Sequence, residues 1–453
     1  VTILAKLNRD AHHQVMLDKI LSATYELLTI MHSAVKVTYD IRDALDGTVS
    51  DLHKRNEALS LINHSKTSGN PGVIFPILPT VSERLNTTAN TYLYRSYSKN
   101  GRIISLINHK LPRFTRAVVD SIMLAFKAFI NNLSRTNKFI KANGINARTK
   151  RIINYGVMKH SGGYINSALS HQSCAVLAKV DISKFFDSMT LQKMLDKDLF
   201  LNAMKVNINY EYMCFRFKKY PDAIRQIDLA LLNLNSIFLS VVPFFLHNGR
   251  IPTGMQYSTH LSNYLFSSID KKIENKLREA SVEKNVTLYH TRYIDDISIG
   301  CHQSGGPSHA IDINLIKDIE SIVNESGFYL KYDKTKIYGS NDTKVVHGIS
   351  FGGIKQQSPS VNSNLKYLLA KEIEELGKHR VPLNSSILGK LHAIRCINNN
   401  QYAYCLSHYF MHRKFTHHSV NVGTYDYRCH IQAEIIYQGS FYDLHVKPVL
   451  GGK

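Results

Sequence analysis

The chain has 453 residues, room for one large multi-lobed enzyme or for two or three domains. Hydrophobic residues make up 44% and charged residues 20%, which suits a globular protein. The 56 Lys plus Arg against 35 Asp plus Glu leave a net charge of +21, which says nothing about fold, fits a solvated basic surface, and favours a polyanionic partner. No apolar run in the sequence approaches the ~20 residues of a bilayer span, so no membrane partner is expected. The six cysteines (Cys174, Cys214, Cys301, Cys396, Cys405, Cys429) form no CxxC pair and read as reduced thiols of a cytoplasmic protein. His417, His418, Cys429 and His430 match no zinc spacing.

In chain order, residues 1 to about 63 show helical spacing, with Leu17, Ile20, Leu21, Tyr25 and Leu28 as one apolar stripe. A turn-rich break follows at Asn63–Gly72, then a basic segment through Lys99 and Arg102 and a helix near Arg116–Asn132. From about Cys174 the pattern changes. "CAVLAKVDI" reads as a strand ending near Asp181. "THLSNYLFSSIDKKIENKL" reads as a helix with Leu261, Leu265, Ile269, Ile273 and Leu277 on one face. "VTLYHTRY" and "ISIGCH" read as two strands around a turn, and "IDINLIKDIESIVNES" as a helix capped by Gly327. "FYLKYDKTKIYG" reads as a strand and "KVVHGISFGG" as a hairpin; from about 362 the reading is helical, then mixed. Strand, helix, two strands, helix, strand is the split βαβ plan, with helices on one face of the sheet.

In that plan Asp181 ends the first strand, and Asp295 and Asp296 lie at the hairpin between the next two. Adjacent carboxylates repel, and burying them is costly without compensating cations or donors. Two Mg²⁺ ions, with Mn²⁺ as a substitute, offset that repulsion and suit in-line phosphoryl displacement. Taken alone, an Asp-Asp pair reads rather as a surface turn.

The ordered blocks resemble the reverse transcriptase superfamily. "SKNGRII" (Ser98–Ile104) is similar to its fingers block, and "VDISKFFDSM" (Val180–Met189) to its first catalytic block. "GRIPTGMQYSTHLSN" (Gly249–Asn263) is similar to its glycine loop, and "YIDD" (Tyr293–Asp296) to its Tyr-x-Asp-Asp block. "GFYLKYDKTKI" and "VVHGISF" resemble the two blocks that follow, and "SSILGKLHAI" a thumb element. The resemblance implies an α+β right-hand polymerase fold. It divides the chain into a helical N-terminal extension (1–90), fingers (91–175), a palm (176–355) with a helical insertion (190–248), and a thumb and C-terminal region (356–453).

It also implies roles. Asp181, Asp295 and Asp296 would be the catalytic, metal-holding acids, with the Ile182 carbonyl as a further ligand and Asp295 the more direct of the adjacent pair. Lys99, Arg102, Phe186, Thr253, Gly254 and Lys334 would meet the incoming nucleotide, and Tyr293 and Gly348 the primer and template. Phe186 would exclude a 2′-hydroxyl, which implies dNTPs as substrates and counts against a viral RNA-dependent RNA polymerase. Lys331 and Lys336 rival Lys334 for its role.

Some positions depart from the pattern. Thr253 replaces a Gln, Ser167 an Asn, and His347 a Thr, which point to the bacterial defence-associated, abortive-infection and retron-like branch. That branch implies antiphage defence, a noncoding RNA as template or scaffold, a DNA product, and a homo-oligomer or partner protein. With no room for a separate RNase H or integrase domain, a stand-alone enzyme is expected. Two alternatives stay open: a template-independent or protein-primed DNA polymerase, and a catalytically silent RNA-binding scaffold.

Overall fold

A computed structural model describes residues 2–45, 93–99, 102–111, 113–142, 153–156, 163–301, 310–354, 357–379, 381, 383–410, 431–438 and 441–448. The turn-rich break at Asn63–Gly72, residues 46–63, and His417, His418, Cys429 and His430 lie outside them.

The chain opens with a long helix, α1 (Thr2–Leu45). Its buried side is Met16, Ile20, Leu27, Ile30 and Met31. Leu21 and Tyr25, read from the sequence as part of that stripe, are 40% and 48% exposed. The true stripe follows the 3.6-residue period one step away from them, because α1 is wedged against two other helices and the Met and Ala positions supply the tight contacts. The antiparallel hairpin β1 (Tyr94–Lys99) and β2 (Arg102–Ile107) follows, then α2 (Arg113–Ala142) and the short α3 (Gly163–Leu169).

The central sheet contains β3 (Val176–Asp181), β4 (Leu288–Tyr293), β5 (Asp296–Cys301) and β6 (Lys336–Tyr338), in the order β4-β5-β3-β6 with every pairing antiparallel. Between β3 and β4 run α4 (Phe185–Ser188), α5 (Leu191–Asp196), α6 (Leu199–Asn207), α7 (Tyr210–Arg216), α8 (Pro221–Val241), α9 (Ser258–Leu265) and α10 (Ser267–Glu283). The single helix expected over 259–277 is thus two, meeting at Phe266, yet Leu261, Leu265, Ile269, Ile273 and Leu277 are all 1% exposed or less. α11 (Ile313–Glu325) closes as expected, with the Gly327 amide bonded to the Asn324 carbonyl at 2.8 Å. α10 and α11 pack against each other, and α10 packs against β4, so helices cover one face of the sheet.

Two further expectations change. "FYLKYDKTKIYG" is not one strand: a 3₁₀ turn at Tyr332–Lys334 precedes β6. The cause is a clamp between segments, since the Lys331 amide bonds the Asp181 carbonyl at 2.7 Å and Ser183 bonds Tyr329 at 2.8 Å, which leaves the following residues to turn. Secondly, Arg116–Ser134 and Pro221–Phe245 are long and apolar enough to cross a membrane by length and composition, although the sequence was read as holding no such run. Here they build core: Phe126 stacks on Phe245 at 3.7 Å between centroids, and Phe200 on Phe238 at 3.6 Å.

A second, three-stranded sheet carries β7 (Thr343–Val346), β8 (Ile349–Gly352) and β9 (Gln357–Val361). α12 (Ser363–Lys378), α13 (Ser385–Ile397) and α14 (Asn399–Phe410) form a separate apolar cluster around Leu369, Ile373, Leu391 and Leu406. β10 (Ile431–Gln438) and β11 (Phe441–Pro448) pair antiparallel.

Candidate active site

The strand register assembles the acids. Asp181 and Asp296 are direct cross-strand partners between β3 and β5, so their side chains share one face. Tyr293 pairs with Asp296 across β4 and β5, leaving Ile294 and Asp295 as a two-residue turn. The Asp295 carbonyl accepts a hydrogen bond from the Ile182 amide at 3.0 Å, which locks that turn to the end of β3. Three carboxylates from segments more than a hundred residues apart therefore meet at one sheet edge.

The turn is strained. Ile294 has φ 61°, left-handed backbone in a β-branched residue. Such a conformation costs about 1–3 kcal/mol and persists only where its surroundings enforce it.

Cations neutralise two of the acids. Lys334 Nζ lies 3.0 Å from Asp181 Oδ2, and this hydrogen bond raises the lysine pKa above its ordinary value. The rivals point elsewhere: Lys331 pairs with Asp333 at 3.7 Å, and Lys336 lies over the Tyr338 ring. Asp296 receives Lys179 at 3.4 Å and His347 at 3.4 Å. Burial works to raise its pKa, but the His347 hydrogen bond and the Lys179 charge outweigh it and hold the carboxyl below the usual range. Asp295 has no ion pair among the described residues. Burial raises its pKa and the charges of Asp296 and Asp181 add to the effect, outweighing a backbone hydrogen bond and the Lys334 charge, which act to lower it.

This imbalance fits a divalent cation, which would supply the charge that Asp295 lacks. Among the described residues no three His, Cys, Asp or Glu side chains already form a ready-made metal cage. Asp181 and Asp296 are instead turned to lysine and histidine. Mg²⁺ needs only one or two protein carboxylates beside substrate phosphates, so Asp181 and Asp295 are the donors that suit it.

The remaining expected residues lie on several different elements, and of them Tyr293 and Gly348 adjoin the acids through His347. Phe186 is partly buried and edge-on to the buried Phe185 at 5.6 Å. Both belong to α4, which starts directly after the left-handed Lys184 (φ 46°). Tyr293 lies 5.2 Å from the His347 ring and 6.1 Å from Tyr164. Gly348 is exposed at the β7–β8 turn, next to His347. Lys99 is exposed at the tip of the β1–β2 hairpin, opposite Arg102, whose side chain lies outside the described residues.

The glycine loop meets that hairpin rather than open space. The Ser105 amide bonds the Thr253 carbonyl at 2.8 Å. Gly254 has φ 110°, and a Cβ there would sit 2.7 Å from Ile104. Its glycine is thus required at least for the hairpin to close on the loop. A cleft of about 460 Å³ opens beside this junction, lined by Arg95, Tyr97, His109, Arg116 and Gln256.

Several residues of the site were not singled out from the sequence. Lys179 was readable in principle, since it lies two positions before Asp181 on the same strand face. His347 was noted only as a departure; its contact with Asp296 comes from the way the β7–β8 turn folds over the sheet, and its other ring nitrogen reaches Ser167 Oγ at 3.2 Å. Behind the turn, Arg292 is fully buried and bidentate to Asp270, at 2.8 and 2.6 Å. Nothing in the spacing of Arg292 and Asp270 announces that pair.

Residues 95–368, well over half of the chain, match the model of a family described as reverse transcriptase (RNA-dependent DNA polymerase). The chain belongs to the reverse transcriptase family. Its fold is the right-hand polymerase fold of that family. Among solved structures, it is similar to an apo telomerase from Candida tropicalis truncated from its C-terminal domain. That match has 13% identity and a TM-score of 0.34, and covers 61% of this chain and 56% of the telomerase. It is also similar to telomerase from Candida albicans in complex with a TWJ fragment of telomeric RNA, at 12% identity and a TM-score of 0.36, covering 70% and 54%. This reverse transcriptase family member spans a little over half the length of each. No curated protein matches it.

Proposed function

We propose that this chain is an RNA-directed DNA polymerase that extends a primer 3′-hydroxyl with dNTPs. The observation that carries the reading is the pairing of Asp181 with Asp296 across the sheet, with Asp295, which has no ion pair among the described residues, on the turn beside them. Two Mg²⁺ ions held by Asp181 and Asp295, or Mn²⁺ in their place, would promote attack of the hydroxyl on the α-phosphate and stabilise the leaving pyrophosphate oxygen.

The chain's own residues orient the reactants. Lys334, beside Asp181, would meet the negative charge that develops on the leaving pyrophosphate. Lys99 and Arg102 at the hairpin tip would hold the triphosphate by charge-assisted bonds. Phe186 would stand against the sugar and select dNTPs, and Tyr293 and Gly348 would position the primer terminus. The net charge of +21 supports an RNA or DNA partner whose affinity falls with salt.

The finer reading is antiphage defence in a bacterial cytoplasm, with a dedicated noncoding RNA as template or scaffold. It rests on the departures at Thr253, Ser167 and His347. The fingers, palm and thumb boundaries given above belong to the same proposal.

Purified protein, a primed RNA template, Mg²⁺ and dNTPs are expected to yield DNA, with rNTPs incorporated far more slowly. Asp295→Ala should yield none; DNA synthesis by that variant at the wild-type rate would overturn the reading. Sequencing the copurified RNA together with its DNA product tests the noncoding-RNA assignment, which fails if the product matches no bound RNA.

A further inference from the structure

We propose that Arg292 is a positioning residue for polymerisation: its guanidinium holds the strained Ile294–Asp295 turn in the geometry that presents the Asp295 carboxylate. The proposal rests on the reading of Asp181 and Asp295 as catalytic acids.

Arg292 is 0% exposed, although it stands one residue before the Tyr-x-Asp-Asp block. Its donors are divided between two tasks. Nε and Nη2 form the fork on Asp270, at 2.8 and 2.6 Å. Nη1 bonds the Ile294 carbonyl at 2.8 Å and Asn263 Oδ1 at 2.7 Å. If neutralising Asp270 were the whole role, the Nε–Nη2 edge would suffice. Nη1 is instead directed at the one backbone carbonyl that belongs to the strained residue.

The guanidinium cannot drift. It lies over the Phe266 ring at 4.7 Å and near the Phe185 ring at 5.9 Å. Asn263 is itself anchored, donating to the Gly156 carbonyl at 3.0 Å. Arg292 also bonds through its backbone on both sides of the 153–155 segment, its amide to Ile153 at 2.7 Å and its carbonyl from Tyr155 at 2.8 Å. So the group touching Ile294 is fixed from α9, α10, α4 and the sheet edge at once. A non-glycine residue at φ 61° needs such enforcement. The second restraint, the Ile182 amide on the Asp295 carbonyl, acts one residue later. Together they clamp the two peptide groups that flank Asp295.

The test is a double-mutant cycle on Arg292→Lys and Ile294→Gly in the full chain, read by steady-state primer extension and by thermal unfolding. Lysine keeps the charge but cannot reach Asp270 and Ile294 together. Arg292→Lys is expected to lower kcat about tenfold to a hundredfold, with KM for dNTP within about twofold, as a misplaced reacting group does. Glycine adopts the left-handed turn without strain, so the loss from Arg292→Lys should shrink by at least about fivefold when measured in the Ile294→Gly background. If Arg292→Lys does not fold, Arg292→Gln with Asp270→Asn leaves no unpaired buried charge and takes its place in the same cycle. The proposal is overturned if the folded variant keeps wild-type kcat, or if its loss is equal in both backgrounds. Asp295→Ala run alongside separates the two readings. Activity in Asp295→Ala sinks the polymerase assignment itself, whereas a dead Asp295→Ala beside an unimpaired Arg292 variant sinks only this one.

Discussion

The two faces of β4 and β5 handle negative charge in opposite ways. On the back face Asp270, carried by α10 itself, is buried against Arg292 of β4, and burial pushes its carboxyl up; the Arg292 charge and hydrogen bonds, with His290, outweigh that and hold it below the usual carboxylate range. On the front face Asp295 is pushed the other way, by burial and by its acidic neighbours. One acid is matched donor for donor, which stabilises the sheet. The other is left short of positive charge on a strained turn, which costs stability and leaves a place for a cation and a substrate.

The largest way to break this contrast is Asp181→Ala, expected to cut primer extension on the order of 10³-fold while the protein stays folded by circular dichroism. A comparable loss of folding would put Asp181 on the structural side. Next, Asp270→Ala leaves Arg292 as an uncompensated buried charge and should cost about 3–5 kcal/mol of stability in denaturant unfolding; a change under about 1 kcal/mol would mean the ion pair carries little. Lys334→Ala should lower kcat by roughly 10²-fold, with the loss concentrated in chemistry rather than in template binding. A pure KM effect would make Lys334 a binding contact only.

The smallest effect is in pH. The Asp270 pKa is depressed in the folded state, so its contribution is fully present above the unfolded value of about 3.9 and is lost as pH falls through the lower folded value. Acid unfolding of the wild type should therefore steepen below about pH 4, and the Asp270→Asn variant should lack that component. Identical acid profiles would contradict the assignment.

Much of the front face was legible in the sequence. The hairpin that carries Asp295 and Asp296 follows from local strand and turn rules, while its pairing with the strand ending in Asp181, more than a hundred residues earlier, was expected from the split βαβ plan and the resemblance carried by "VDISKFF", the glycine loop and "YIDD". The partners were not. Which of Lys331, Lys334 and Lys336 reaches Asp181 is decided by a 3₁₀ turn created by contacts with β3. His347 reaches Asp296 only because a separate hairpin folds over the sheet. The Arg292–Asp270 pair joins a strand to a helix twenty-two residues earlier, a separation with no periodic signature. In α1 the period was right and the phase wrong at Leu21 and Tyr25, since phase depends on which helices pack alongside.

The most direct test of the contrast is a paired measurement on Asp295→Asn: thermal unfolding without metal, and RNA-templated dNTP incorporation with Mg²⁺. A folded-state pKa that is raised favours the protonated acid, so at neutral pH the charged Asp295 detracts from stability. The neutral isostere is predicted to raise the midpoint by about 1–3 °C and to abolish incorporation. A variant that is less stable than wild type and still polymerises would contradict the account.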